Sequence, residues 1–387
     1  MRNICSRCKL TSADGNLWCQ ELDCPAGALP LLLQYGDYLG NIKVLEQLRV
    51  LRSSALYRAE RGIGKETEYF FLKVANLGEE NERYLKREAE ALRTLSAKRA
   101  HAEYDPLPVW VHHGAVNGTD AFGIINFSGH NRCFYLMQYE PGEFLADMLL
   151  DNPQPWHEHV GWSMIALADA VIAVERATGA LHANLNPDVV YVRRNGAGVP
   201  LPLLLDMGLL LAPNKFIPAS EVENVLRFLQ PSYTPPELLG GDVLTGRVDT
   251  YGLGLLLFQM LAGRPAFAYT LRRTEDIFTD VRQVKPILTR DDLPTQPAHG
   301  KRAADVQSLN EIVQRSVVHD HPKRYTDATE FRNALFVLYG QPDDRREVNA
   351  DVLFSRIGLY VMVGMIAAFI VFIVVVLLSA VLRPLLV

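Results

Sequence analysis

The sequence predicts an α+β chain built as two unequal lobes, with a cysteine-bearing segment ahead of them and an apolar span behind. Three observations predict it. Strand-like runs dominate residues 38–139, helical periodicity dominates 143–340, and a Glu140-Pro141-Gly142 connector separates them. Of the 387 residues, 49% are hydrophobic and 21% charged, which excludes a mostly disordered chain, a collagen-like repeat and a coiled-coil rod. The formal net charge of −5 supplies no global positive field, so nucleic acid is not an expected partner.

Taken in order, the first element is a segment over 1–30. Four of the five cysteines lie here, as Cys5-x2-Cys8 and Cys19-x4-Cys24. Two such pairs suit a tetrahedral zinc site, a zinc ribbon in outline, and four thiolates leave no open coordination position, so the role is structural. Redox pairs or disulfides are the rival, disfavoured in a reducing cytoplasm. So small a segment has little core of its own, which makes metal binding and folding one event. Cys133 stands alone beside an apolar run and reads as core.

In the first lobe, Tyr69-Phe70-Phe71-Leu72-Lys73-Val74 is rich in β formers and reads as a strand. Gly62-Ile63-Gly64-Lys65 imitates part of a phosphate loop but precedes a strand, so it is expected to be a strand–strand turn. Glu79 to Lys98 is a helix by its stripe of Tyr84, Leu85, Ala89, Leu92 and Leu95. Further short strands follow over 107–139. In the second lobe, helices are expected over 158–179, 247–262, 303–319 and 326–339. His157 with His159, and His319 with His321, are two residues apart, a spacing that does not bring helical ligands to one face.

Residues 341–356 read as a juxtamembrane linker. From Ile357 to Leu382 no residue is charged. A helix of that length reaches about 39 Å, enough to cross a hydrocarbon core of about 30 Å. Arg345, Arg346 and Arg356 precede the span and Arg383 alone follows it, which orients the body toward the cytoplasm. The expectation is a single-pass anchor in the cytoplasmic membrane, with the C-terminus outside and no cleavable signal peptide. Gly358 and Gly364 do not have the four-residue spacing of close-packed membrane helices.

Eight segments of the body, in order, resemble the motifs of bacterial serine/threonine protein kinases. Leu72-Lys73-Val74 is similar to the third-strand lysine motif. Arg87-Glu88-Ala89-Glu90 is similar to the helix carrying that lysine's partner, with Glu88 as the match. Met137-Gln138-Tyr139 resembles the hinge, and His182-Ala183-Asn184-Leu185-Asn186-Pro187 the catalytic loop. Asp206-Met207-Gly208 resembles the metal-binding D-F-G, and Tyr233-Thr234-Pro235-Pro236-Glu237 the A-P-E region. Asp249-Thr250-Tyr251-Gly252-Leu253-Gly254 resembles the start of the long buried helix, and Arg324 the partner of the A-P-E glutamate. The resemblance covers residues 38–340 and implies a protein-kinase-like fold, with an N-lobe over 38–139 and a C-lobe over 143–340. It also implies ATP and magnesium as cofactors.

The departures bear on function, because phosphoryl transfer rests on positioning and electrostatics. Aligned through Leu56-Tyr57-Arg58-Ala59, the three loop glycines become Arg49, Leu51 and Ser54, and the close backbone approach to phosphate is lost. The proton-accepting aspartate becomes Asn184, an amide that takes up no proton at neutral pH. The phosphate-steadying lysine becomes Asn186. The second metal ligand becomes Val189, which has no oxygen to offer, and Asp188 is displaced from it by one position. Phe71 stands where the family has a small alanine against the adenine, and it shares a strand face with Lys73. Either it obstructs the base site or it turns aside into the lobe core.

Of the catalytic positions His182, Asn184, Asn186 and Val189, no complete set remains. Lys73, Glu88 and Asp206 are a remnant nucleotide site, with Met137, Gln138 and Tyr139 at the hinge. ATP and magnesium are therefore in question. The expected function is that of a membrane-anchored pseudokinase, acting in signalling as a scaffold or allosteric partner for proteins at the membrane face. One alternative is a weak serine/threonine kinase using Lys73 and Asp206 with an unconventional base. Another makes the zinc head the partner-binding part, with the body as its platform.

Overall fold

The computed structural model describes residues 3–4, 11–12, 32–63, 66–98, 105–114, 117–155, 157–195, 198–267, 274–289 and 306–339. The chain divides into two compact units, Met1–Leu335 and Phe336–Val387. Of the second, the described residues are 336–339. Cys5, Cys8, Cys19 and Cys24, the linker over 341–356 and the apolar span over 357–382 lie outside the described residues. Among the described residues, no helix is long and apolar enough to cross a membrane, and no cluster of three or more His, Cys, Asp or Glu could hold a metal. Strand β1 (Asn3–Ile4) pairs antiparallel with β2 (Thr11–Ser12), and the two flank Cys5 and Cys8 in sequence.

The first lobe is a sheet of β3 (Tyr38–Leu39), β4 (Ile42–Val50), β5 (Ser54–Ile63), β6 (Glu66–Ala75), β7 (Trp110–Val111), β8 (Asn117–Gly118), β9 (Gly123–Phe127) and β10 (His130–Gln138). The order is β3-β4-β5-β6-β10-β9-β8, with β7 also on β10. Helix α1 (Glu79–Lys98) follows β6. Alternation along β6 separates two environments. Phe70, Leu72 and Val74 enter a core with Val44, Tyr57 and Leu136, while Phe71 and Lys73 point from the opposite face. That core begins earlier than residue 38. Leu32 and Leu33 belong to it, and the Leu33 N–H donates to the Tyr57 hydroxyl at 3.1 Å. Strands β5 and β6 pair antiparallel from Ile63↔Glu66 onward, and Gly64 and Lys65 of the expected turn lie outside the described residues.

The second lobe begins with β11 (Gly142–Phe144), α2 (Leu145–Asp151) and α3 (His157–Thr178). There follow β12 (Val190–Arg194), β13 (Pro200–Leu204), α4 (Ala219–Leu226), α5 (Pro236–Gly240), α6 (Arg247–Ala262), α7 (Thr274–Gln283), α8 (Val306–Val317) and α9 (Ala328–Tyr339). The helices fall within a few residues of the expected ranges. The small sheet β11-β12-β13 is an addition to the helical reading of this half. Its strands are short, and β12 and β13 are largely buried, so their sequence shows no alternation that would distinguish them from pieces of helix. From Val248 to Ala262 every residue of α6 is buried, as the core helix of the lobe requires. Gly254 lets α8 approach it, since a Cβ there would run into Ser316. Glu237 and Arg324 form a buried ion pair at 2.7 Å that ties α5 to the segment before α9.

Candidate functional site: the cleft between the lobes

Three charged residues meet at the back of the cleft, each set there by its own element. Lys73 comes from the inward face of β6, Glu88 from the buried stripe of α1, and Asp206 from the turn after β13. The Lys73 ammonium donates to Glu88 at 2.6 Å, to Asp206 at 2.7 Å and to the Leu205 carbonyl at 3.3 Å. Its three protons are thus used. Glu88 also accepts from the Met207 N–H at 2.9 Å, and Asp206 from the Gly208 N–H at 2.7 Å.

The electrostatics follow from burial and charge count. Burial opposes the Lys73 charge, but Asp206 and Glu88 overcome it and hold its pKa above the ordinary value. Burial likewise pushes Asp206 up, but Lys73, His182 and the Gly208 N–H outweigh it and the carboxyl stays below the ordinary range. At Glu88 burial wins, and the pKa rises to about 7. Two carboxylates share one ammonium here, so one carries the excess. Elsewhere in the lobe, Cys133 is buried and its thiol is pushed up to about 12 by burial, as suits a core residue and not a nucleophile.

The catalytic-loop positions are engaged in holding the loop itself. Asp249 accepts from the His182 N–H at 2.9 Å and the Ala183 N–H at 2.7 Å. The His182 ring lies 2.9 Å from the Asp206 carbonyl through Nε2. Gly208, with φ of +73°, packs so tightly on His182 that a Cβ would run into its carbonyl. The Asn186 amide donates to the Asn184 carbonyl at 2.9 Å, and its oxygen accepts from the Asp188 N–H at 2.9 Å. The Asn184 oxygen accepts from the Gln230 N–H at 3.4 Å. Val189 is buried.

In front of the triad the cleft is filled by aromatic rings from both lobes. Phe71, fully buried, meets Tyr139 edge-on with centroids 4.9 Å apart and Tyr191 of β12 at 5.1 Å. Phe144 continues the cluster, 5.3 Å from Tyr191. Phe71 has not turned into the core of its own lobe, because β6 alternation directs it across the cleft. At the hinge, Met137 pairs with Phe71 in the sheet register. The Gln138 N–H donates to the Val109 carbonyl at 2.8 Å and the Tyr139 N–H to the Tyr69 carbonyl at 3.3 Å.

Arg49 closes the cleft from above. From the end of β4 its guanidinium crosses to the second lobe, pairs with Asp147 of α2 and with Asp188 at 3.2 Å, and lies over the Phe144 ring at 4.4 Å from the centroid. It is 2% exposed. Burial pushes the Asp188 carboxyl up, offset in part by Arg49. Asp188 is therefore occupied by an arginine, facing a different partner from the one a metal would require. Sequence reasoning placed Arg49 at a lost glycine but did not foresee its reach, nor the parts of Phe144, Asp147 and Tyr191. The available signal was the coincidence of a cation at the loop position with aromatics at 139, 144 and 191.

No model of a known protein family matches the sequence. The chain is 25% identical over 229 residues to the serine/threonine-protein kinase Pkn1 of Myxococcus xanthus, a match covering 56% of this chain and 31% of that protein. It is 24% identical over 220 residues to PknB of Mycobacterium leprae, covering 56% and 32%. It is 28% identical over 227 residues to pkn2 of Myxococcus xanthus, covering 58% and 25%. The matches thus span under a third of the length of these relatives. Among solved structures, the PknI kinase domain of Mycobacterium tuberculosis, as a double mutant, aligns with TM-score 0.51 at 18% identity, over 80% of this chain and all of that one. A second double mutant of that domain aligns with TM-score 0.51 at 20% identity, over 79% and 98%. The chain has the bilobal α+β fold of a protein kinase domain and is kinase-like in sequence, similar to bacterial serine/threonine protein kinases.

Proposed function

We propose that this chain is a membrane-anchored pseudokinase. Its kinase-like body acts by contact with protein partners at the cytoplasmic membrane face and transfers no phosphate. The observation that carries the reading is the filled cleft: Phe71 and Tyr191, from opposite lobes, touch where a nucleotide base would have to lie between them. A planar base needs about 3.5 Å of clearance on each face, and ring centroids 5.1 Å apart leave no such slot. The donor set agrees. Asn184 has no capacity to accept a hydroxyl proton, and Val189 has no oxygen for a hard cation. The residues present do not fit ATP with two magnesium ions.

In this reading the Lys73–Glu88–Asp206 triad is an internal tie between β6, α1 and the second lobe. The anchor rests on the uncharged span over 357–382. The zinc-holding head rests on the spacing of Cys5, Cys8, Cys19 and Cys24. The test is incubation of the purified chain with radiolabelled ATP and magnesium, alongside a thermal-shift titration with the same ligand. The expected result is no label on the chain or on a generic protein substrate, and a flat melting temperature. Label that disappears on Lys73→Ala or Asp206→Ala would overturn the reading in favour of a weak kinase.

A further inference from the structure

A second concavity opens in the larger lobe, behind the aromatic cluster. Strand β12 separates the two. Tyr191 turns toward Phe71, so Val190 and Val192 turn the other way and line this cleft. Leu145 and Met148 of α2, Leu167 of α3 and Met260 of α6 add to the apolar side of the cleft. The rest of the lining is polar, with Asn152, Gln154, His159, Ser163 and Arg194, and no aspartate or glutamate is among the lining residues. The cleft holds about 200 Å³. That is below the range of roughly 300–1,000 Å³ typical of drug-sized ligands, and it suits a short chain better than a fused ring system.

We propose that this cleft binds a free medium-chain fatty acid, with its tail against Val190, Val192 and Met148 and its carboxylate at Arg194. The apolar side of the cleft, Val190, Val192, Leu145 and Met148, accepts a hydrocarbon tail, and each further methylene buried against it should raise affinity roughly fourfold until that side is covered. The sign of the rim selects the head group. Arg194 already pairs with Glu143 at 3.3 Å, but both side chains are well exposed, at 52% and 39%. An exposed pair of this kind is weak, so a ligand carboxylate can compete for the same planar fork. The site is separate from the interlobe cleft, and its occupancy does not depend on whether nucleotide binds.

The experiment uses the full chain in lipid nanodiscs and a diazirine-bearing octanoate as photolabel, with labelled peptides mapped by mass spectrometry. Label is expected on the 145–152 and 190–202 segments. It should be competed by octanoate, about fourfold less effectively by heptanoate, and not by octylammonium. Two variants close the argument. Ser163→Phe fills the cleft, and Arg194→Glu reverses the rim at a half-exposed position whose loss leaves the core intact. Each should remove the label, with folding checked by circular dichroism, and the second keeps the test decisive if the first fails to fold. Label confined to other segments, label unchanged in Arg194→Glu, or equal competition by octylammonium would each overturn the proposal.

Discussion

Lys73 stands between two carboxylates, Glu88 at 2.6 Å and Asp206 at 2.7 Å, so the buried triad carries one negative charge more than its ammonium balances. The surplus falls on Glu88, which burial moves from 4.5 to about 7. Between those values the unfolded chain has released a proton that the folded chain still holds. The folded state then binds more protons, and stability falls as pH rises through the window. Measured against Glu88→Gln, which does not titrate, the wild type should lose on the order of 2–3 kcal/mol between pH 4.5 and 7 and stay level above it. Urea melts of both proteins across that range are the check, and parallel pH profiles would refute the assignment. At this scale the motif order in the sequence identified Lys73, Glu88 and Asp206, because each sits at a fixed offset from recognisable neighbours. Arg49 was legible only as a missing glycine. A long flexible side chain can reach several partners, and which one it takes is decided by residues nearly a hundred or more positions away, here Asp147 and Asp188.

Strands β6 and β12 do at the element scale what no single residue does. Period-2 alternation makes each of them two-sided, so β6 presents a lobe core on one face and Phe71 with Lys73 on the other, while β12 presents Tyr191 to the cleft and valines to the cavity behind. Phe71 is fully buried among rings from both lobes. Phe71→Ala should therefore cost about 3–5 kcal/mol through lost burial and a residual cavity. It should not create phosphoryl transfer, because Asn184 and Val189 are unchanged. Chemical denaturation reads the first expectation and radiolabel incorporation the second; a variant as stable as the wild type would remove Phe71 from its place as a cleft-filling residue. Legibility varied with element type. The amphipathic stripe of α1, Tyr84 to Leu95, runs over about three helical turns and lies within the helix over Glu79–Lys98. Strands β12 and β13 of the small second sheet are buried over so few residues that the sequence shows an apolar run without a period.

Across the whole molecule the lobes are joined at several depths. The triad lies at the back, the Phe71–Tyr191 contact in the middle and the Arg49 pairs at the front. To one side, Arg52 donates to the Arg227 carbonyl at 2.9 Å, and Asn224 of α4 donates to Glu80 of α1 at 2.6 Å. The Tyr84 ring of α1 packs against Phe228 at a tilt, with centroids 4.5 Å apart. A cleft that must admit and release a ligand needs lobes that separate, whereas these contacts favour one fixed arrangement. Arg49 is the place to test this, because it joins the lobes without touching the triad. Arg49→Ala leaves Asp188 beside a lost cation while Asp147 is returned to solvent. The cost should be about 1–3 kcal/mol, less than for a fully buried pair because the aspartates are partly exposed. Its location is more telling than its size. Amide exchange should accelerate in the β4–β5 turn and in α2, on both sides of the broken contact, while α6 stays protected as the centre of its lobe. If exchange rises in the β4–β5 turn alone, Arg49 is a local brace of its own strand, and the lobes are held together by the rings and the triad behind it.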